Sequence, residues 1–242
     1  MIFQTQDPKS LILAILIGLV PTVFWLWFWI RHEDKEHPEP IGLIVLSFVV
    51  GALSVFLAVY LEKYSLNFLD KDSDLKILVW AIIEEVVKFS AVFLIIYRNK
   101  HVDEPIDYPI YCISTALGFA ALENILYLCG AFDTSGATVG LLTGNLRFLG
   151  STLLHAVASS MVGSALGLAF FLKKRKKRYL YVGLLGAIVL HSIFNLLIMR
   201  EGGKNFLSVF GFLWVTTIIN LLIFEKLKRM GKYNPVLKEK TI

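Results

Sequence analysis

Residues 77–97, ILVWAIIEEVVKFSAVFLIIY, contain the pattern that decides the fold and also its main exception. About 20 consecutive apolar residues are enough for a helix to span the hydrocarbon core of a bilayer, and this run has that length. Its charged residues are Glu84, Glu85 and Lys88. A charge at the bilayer centre costs about 2.5 to 3.5 kcal/mol, so such side chains normally face the protein interior and mark function. The stretch therefore predicts a membrane-spanning helix that carries part of a functional site.

Working outward from this run, the rest of the chain is similarly apolar. Over the whole chain 56% of residues are hydrophobic and 18% are charged, against about 25% charged in an average soluble protein. This composition excludes a soluble enzyme or a disordered chain and predicts an all-α fold, a polytopic membrane helix bundle of about seven transmembrane helices in a single domain, residues 1–242. The other six runs are residues 10–30, 41–61, 109–132, 148–172, 179–199 and 205–224.

The net charge of +5 is explained by connections between the runs. Half of the basic residues lie in Lys173–Arg178 and Lys226–Lys240, beside hydrophobic runs, where they set topology and do not indicate nucleic-acid binding. Lys35 and Arg98 fall on the same predicted side. The positive-inside rule then predicts an integral protein of the cell membrane, with the N-terminus outside and residues 225–242 as a basic cytoplasmic tail.

Ionisable and imidazole side chains are confined to four successive runs, which predict a catalytic core at residues 77–199. Besides Glu84, Glu85 and Lys88, they are Glu123, His155 and His191. Counted at 1.5 Å per residue from the same side of the membrane, the glutamates and histidines lie about 10 to 14 Å below the boundary. We therefore expect these groups to share one pocket.

Spacing within the helices indicates which groups act together. Glu84 and Lys88 are four residues apart and share a face, and Glu85 is three residues from the lysine, so Lys88 is predicted to be a structural counter-ion. His191 and Asn195 are also four residues apart, which can direct an imidazole and an amide at one atom.

Two further features concern packing. Phe119, one turn from Glu123, is predicted to wall the pocket together with Asn124, although an amide in a span can equally hydrogen-bond between helices. His155 begins a four-residue-period stripe that continues through Ser159, Gly163 and Gly167. Small residues at this spacing let helices approach closely in lipid, so the stripe predicts packing below the histidine.

The side chains suit the activation of water. The motifs GxSxG, HExxH and the Walker loop are absent from the sequence. A glutamate can take a proton from water while a histidine or asparagine stabilises the oxyanion formed on a carbonyl. His155, His191 and Glu123 could instead hold Zn²⁺ with an open water position, leaving another glutamate as the base. The residues alone leave both mechanisms open.

Four motifs in order resemble one family. Residues 84–88 (EEVVK) are similar to an EExxK motif, 119–124 (FAALEN) to FxxxEN, 155–163 to a histidine followed eight residues later by glycine, and 191–195 (HSIFN) to HxxxN. This pattern, over residues 80–197, resembles the PrsW family of bacterial intramembrane proteases, which is distantly similar to the CAAX prenyl proteases. The CAAX enzymes have a histidine where this chain has Glu123.

The resemblance implies an intramembrane endopeptidase acting on a single-pass, membrane-anchored substrate, typically the site-1 cleavage of an anti-sigma factor. It implies that Glu84 is the water-activating base with Glu85 as its neighbour, that His155 is a second catalytic residue, and that His191 and Asn195 are oxyanion donors. The family is described both as glutamic-type and as metal-dependent. We favour a glutamic mechanism without cofactor over zinc, because a metal site would leave several carboxylates unused.

Two other classes of protein also bury such groups. A proton-coupled transporter needs glutamate, lysine and histidine in its spans, but usually shows repeated halves or matching broken helices. Pro109, Gly183 and Gly186 show no such pairing. A non-catalytic scaffold, similar to the related membrane subunit of gamma-secretase, would keep the histidines for assembly.

Overall fold

A computed structural model describes residues 8–31, 38–70, 73–97, 99–172, 175–201 and 206–232, except for the side chains of residues 133–149, 199–201, 206–208 and 232. Over this part of the chain the secondary structure consists of seven α-helices. They are α1 (Pro8–Ile30), α2 (Ile41–Ser65), α3 (Asp74–Ile96), α4 (Asp107–Leu149), α5 (Ser151–Leu168), α6 (Lys176–Glu201) and α7 (Phe206–Lys232).

The predicted all-α membrane bundle is confirmed. Within the described residues, six helices are long and apolar enough to cross a bilayer. Helix α3 is as long as α1, at 23 residues, but Glu84, Glu85 and Lys88 interrupt its apolar sequence. Because their side chains are at most 10% exposed, α3 buries these charges in the bundle.

Several helix boundaries differ from the predicted runs, because polar residues can continue a helix. The helix α4 does not end at residue 132 but continues to Leu149, and α5 begins at Ser151. The helix α7 continues to Lys232, so the first part of the predicted basic tail is helical. Residues 233–242 of that tail lie outside the described residues.

The start of α3 follows local chemistry that hydropathy does not report. Ser73 precedes the helix in an extended conformation, and its hydroxyl oxygen accepts a hydrogen bond of 3.1 Å from the backbone N–H of Leu75. Asp74 adds a negative charge to the first turn, which stabilises the positive end of the helix dipole.

The helix α4 lies at the centre of the bundle and contacts α1, α2, α3 and α5. It crosses α2 at two glycines: a Cβ at Gly51 would collide with the backbone of Thr115, and a Cβ at Gly118 with the backbone of Phe48. Close backbone approach at small residues is the usual basis of helix packing in lipid. This crossing places Phe119, the next residue along α4, against α2 and α3.

The predicted small-residue stripe on α5 has a packing role. A Cβ at Gly163 would collide with the backbone of Pro109 at the start of α4, and one at Gly167 with the carbonyl oxygen of Pro105. The stripe therefore lets α5 lie directly against the start of α4, which fixes the level of His155 relative to α4.

Polar contacts hold the opposite end of the bundle from His155. The Asp107 carboxylate accepts hydrogen bonds from the backbone N–H groups of Asp103 (2.9 Å) and Glu104 (2.6 Å). The Tyr111 hydroxyl donates a hydrogen bond to the Glu39 carboxyl group. Burial raises the pKa of this carboxyl group above its ordinary value. Of the basic residues that predict the cytoplasmic side, Lys35, Arg98 and Lys173 lie outside the described residues.

Candidate active site

Lys88 lies at the centre of a buried polar cluster. Its ammonium nitrogen is 2.6 Å from Glu85 Oε1, 3.5 Å from Glu84 Oε2 and 2.8 Å from His155 Nδ1. The side chain is 2% exposed. Lys88 is thus the counter-ion of both glutamates, as the spacing predicted, and it also connects α3 to α5.

Glu85 is held by several donors. Besides Lys88, His191 Nδ1 lies 2.8 Å from its Oε1, and the Ser159 hydroxyl donates to its Oε2 at 3.4 Å. The residue is 1% exposed. Because its contacts come from α3, α5 and α6, Glu85 joins three helices and orients His191.

Glu84 is in a different environment. Its Oε2 is buried and accepts no hydrogen bond from any described residue. The nearest imidazole nitrogens are His155 Nδ1 and His191 Nε2, each 3.8 Å away. A carboxylate oxygen without a donor is free to accept a proton from a bound molecule, which Glu85 is not.

The contacts of the two histidines define their protonation. Lysine has donors only, so His155 Nδ1 accepts from Lys88 and the ring proton lies on Nε2, 2.8 Å from Glu123 Oε2. His191 has the opposite arrangement, since its Nδ1–H donates to the Glu85 carboxylate and its Nε2 faces Glu84. The two rings lie 5.2 Å apart, edge to face.

Phe119, which was predicted to wall the pocket, lies beside the ion cluster. Its ring lies 5.7 Å from the His155 ring, and the Lys88 ammonium is 4.9 Å from its centre. Asn124 acts between helices, donating to the Thr152 hydroxyl at 2.9 Å, one turn before His155 on α5. The aromatic ring therefore shields the ion cluster, and the amide helps to fix α5.

Two residues differ from the sequence-based expectations. Asn195 is partly buried and makes no hydrogen bond to a described residue, so its amide is not held against His191. Glu62, which sequence reasoning missed, lies within electrostatic reach of Glu84 and Glu123. Glu62 directly follows the apolar run 41–61. The sequence signal for it was its spacing, because it lies four residues after the buried Ala58 and therefore on the same face of the helix.

The residues present fit a metal-binding donor set. Among the described residues, Glu84, His155 and His191 offer one carboxylate oxygen and two ring nitrogens within 4.8 Å of one another. Glu84 thus takes the place that Glu123 has in the predicted zinc set, because Glu123 contacts His155 through Nε2, away from this group. Two histidines and a glutamate are a known catalytic zinc set, and the contact of His191 with Glu85 is typical second-sphere support.

The model of the PrsW family intramembrane metalloproteases matches residues 39–222. Protease PrsW of Geobacillus kaustophilus is 31% identical over 201 residues, covering 81% of this chain and 84% of the relative. The corresponding values are 27% over 224 residues, 90% and 92%, for Protease PrsW of Clostridioides difficile, and 29% over 220 residues, 86% and 95%, for that of Oceanobacillus iheyensis. No solved structure matches this chain.

A bundle of membrane-spanning length with a buried carboxylate–imidazole site defines, together with these matches, an intramembrane protease. The chain belongs to the PrsW family. The family assignment expected from the four motifs is confirmed.

Proposed function

We propose that this protein hydrolyses a peptide bond of a membrane-anchored substrate with a water molecule activated by Glu84. The observation that carries the proposal is the state of Glu84 Oε2, which is buried, lacks a donor among the described residues and lies 3.8 Å from a ring nitrogen of each histidine. A carboxylate in this position can act as a general base. Because the site is buried, the electrostatic interaction of the Glu84 carboxylate with a reacting group is stronger than it would be in water.

In the proposed reaction, Glu84 carries one proton from water to the leaving nitrogen. Glu84 accepts a proton from water, and the resulting hydroxide attacks the carbonyl carbon of the scissile bond. His191 takes up a second proton from solvent on Nε2 before attack and keeps it through the reaction. This Nε2–H and the Asn195 amide, once substrate brings the amide close, donate hydrogen bonds to the oxyanion. Glu84 then returns its proton to the leaving nitrogen as the carbon–nitrogen bond breaks.

The other residues position these groups. Glu85 stabilises the positive charge of protonated His191 through Nδ1, as a buried carboxylate does for a catalytic imidazole. His155, the proposed second catalytic residue, lies 3.8 Å from Glu84 Oε2, and its contacts with Lys88 through Nδ1 and with Glu123 through Nε2–H hold its ring. Lys88 contacts both Glu84 and His155 and so holds these two side chains next to each other.

A zinc ion at Glu84, His155 and His191 would supply Lewis-acid activation of water. We favour the metal-free version because Lys88 already provides a cation at this position. Its ammonium contacts Glu84 and His155, so a metal ion would compete with it for the same ligand atoms.

This preference predicts the outcome of metal analysis. Active protein purified in detergent and dialysed against a chelator is expected to retain its cleavage rate and to contain far less than one zinc per chain by mass spectrometry. Stoichiometric zinc, with loss of activity on chelation and recovery on adding zinc, would instead assign the three residues as ligands. Lys88→Met protein is the matched comparison, since removal of the competing ammonium should increase zinc binding, measured by dialysis.

For the substrate, we propose a single-pass membrane protein such as an anti-sigma factor, cut in the cell membrane by a single domain whose catalytic core is residues 77–199. The basic side, with the C-terminus, is proposed to be cytoplasmic.

In proteoliposomes, the purified protein is expected to cleave members of a set of single-span peptides without moving protons. Proton flux without cleavage of any peptide would favour the transporter, and neither activity would favour the scaffold.

A further inference from the structure

Glu62 lies on the inner face of α2. Val55 and Ala58, seven and four residues before Glu62 on the same helical face, are each 1% exposed and pack against Val87 and Phe119. Glu62 therefore extends, toward the end of α2, a face whose neighbouring residues Val55 and Ala58 are apolar and packed against α3 and α4.

The connection between α2 and α3 fixes the level of Glu62. The Trp80 indole donates to the Ser65 hydroxyl at 3.2 Å, which places these two residues side by side. The two helices run in opposite directions from this point. The residue three before Ser65 on α2, which is Glu62, is therefore at about the level of the residue three after Trp80 on α3, which is Ile83. Ile83 packs against the cluster of Val55 and Ala58, and Glu62 interacts electrostatically with the residue after Ile83, Glu84.

The mouth of the site is the side on which the Glu123 side chain is 28% exposed, and Glu62 adds a carboxyl group there that no cationic side chain of a described residue contacts. The Glu62 side chain forms no hydrogen bond or ion pair with a described residue. Glu84 and Glu123 repel it, and Lys88 attracts it without direct contact. The glutamates of the cluster are Glu62, Glu84, Glu85 and Glu123. The lysine among them, Lys88, is already in contact with Glu84, Glu85 and His155.

A second observation points to a ligand at this mouth. Glu84 is more than nine-tenths buried, and its Oε2 lacks a hydrogen-bond donor among the described residues. Glu123, with a side chain 28% exposed, continues the acidic surface outward from His155. Like charges held together in a medium of low polarity are costly, and either protonation of one carboxyl group or a cation that joins them relieves this cost.

We propose that Glu62 binds a lysine or arginine side chain of the polypeptide substrate, close to the scissile bond on the side of the α2–α3 connection. The proposal rests on the proposed protease function and adds a specificity determinant to it. A basic side chain fits because its apolar stem can lie on the α2–α4 surface while its cationic end reaches the carboxylates.

The test uses the full chain in proteoliposomes and synthetic single-span peptides with Lys, Arg, Gln or Glu at successive positions near the bilayer boundary. For each variant the measured quantity is the ratio of kcat/KM for the Lys and Gln peptides, so that overall activity cancels. Binding of the same labelled peptides is measured in parallel. We expect a Lys preference of about tenfold at one or two positions, typical of a charge-assisted hydrogen bond.

The variants decide the assignment. Glu62→Gln should reduce the ratio to near one, and Glu62→Lys should reverse it in favour of the Glu peptide, which a folding defect would not do. Glu225→Gln, the same change on the exposed part of α7, should leave the ratio unchanged. Equal binding and cleavage of Lys and Gln peptides would overturn the inference. A Lys preference in binding without cleavage would overturn the protease function alone.

Discussion

Glu84→Gln is expected to reduce substrate cleavage by a factor of about 10³ while the protein stays folded, since a positioned general base contributes about 10²–10⁴ in rate. Glutamine keeps the volume of glutamate but cannot accept a proton from water at neutral pH. Folding should be preserved, because Glu84 Oε2 accepts no hydrogen bond from a described residue and Lys88 keeps its shorter contact with Glu85. The measurement is kcat/KM in proteoliposomes together with the thermal unfolding midpoint.

Glu225→Gln is the matched control for this change. Its side chain is 54% exposed and its partner, Arg229, is 70% exposed, so loss of this pair should alter neither rate nor stability. Glu84→Gln protein that cleaves within a few-fold of wild type would remove Glu84 as the base.

Glu85→Ala is expected to destabilise the protein by about 3 to 5 kcal/mol and to abolish cleavage, because removing one member of a buried ion pair leaves an uncompensated charge. The ammonium of Lys88 would lose its 2.6 Å contact, and His191 Nδ1 would lose its acceptor. Denaturant titration in detergent micelles measures the first effect, and peptide cleavage measures the second.

The double variant Glu85→Ala with Lys88→Met separates stability from catalysis. Removing both charges should recover much of the lost stability, as buried pairs replaced by apolar groups often do, but not the activity, because His191 still lacks its partner. A single Glu85→Ala variant that unfolds at the wild-type denaturant concentration would contradict the central position of Glu85.

The membrane bundle and the level of the site were predictable from sequence because both follow from one-dimensional regularities. Apolar runs report span length, and a rise of 1.5 Å per residue places Glu123 and His155 near the same depth. The i, i+4 spacing also predicted the contact of Lys88 with Glu84.

Contacts between helices were not predictable, because they depend on how each helix is rotated about its axis. The sequence indicated Lys88 as a partner of glutamates but not of His155, on another helix. The same rotation decides that Glu84, and not Glu123, lies between the two histidines.

Helix ends were a second source of difference, since hydropathy stops where polar residues begin. That boundary left Glu62 outside the second apolar run, although α2 continues to Ser65. The end of α4 was missed for the same reason. Only capping residues such as Ser73, or the phase of a buried face, carry information about these ends.

The central claim, that Glu84 in this buried cluster activates the water that cuts the substrate, is tested most directly by isotope transfer. Wild-type and Glu84→Gln proteins are reconstituted with a cleavable single-span peptide in water enriched in oxygen-18, and the products are weighed by mass spectrometry. The account predicts one heavy oxygen in the new carboxyl group of the wild-type product and about 10³-fold less labelled product from Glu84→Gln in the same time. Labelled product from Glu84→Gln at the wild-type rate would contradict it.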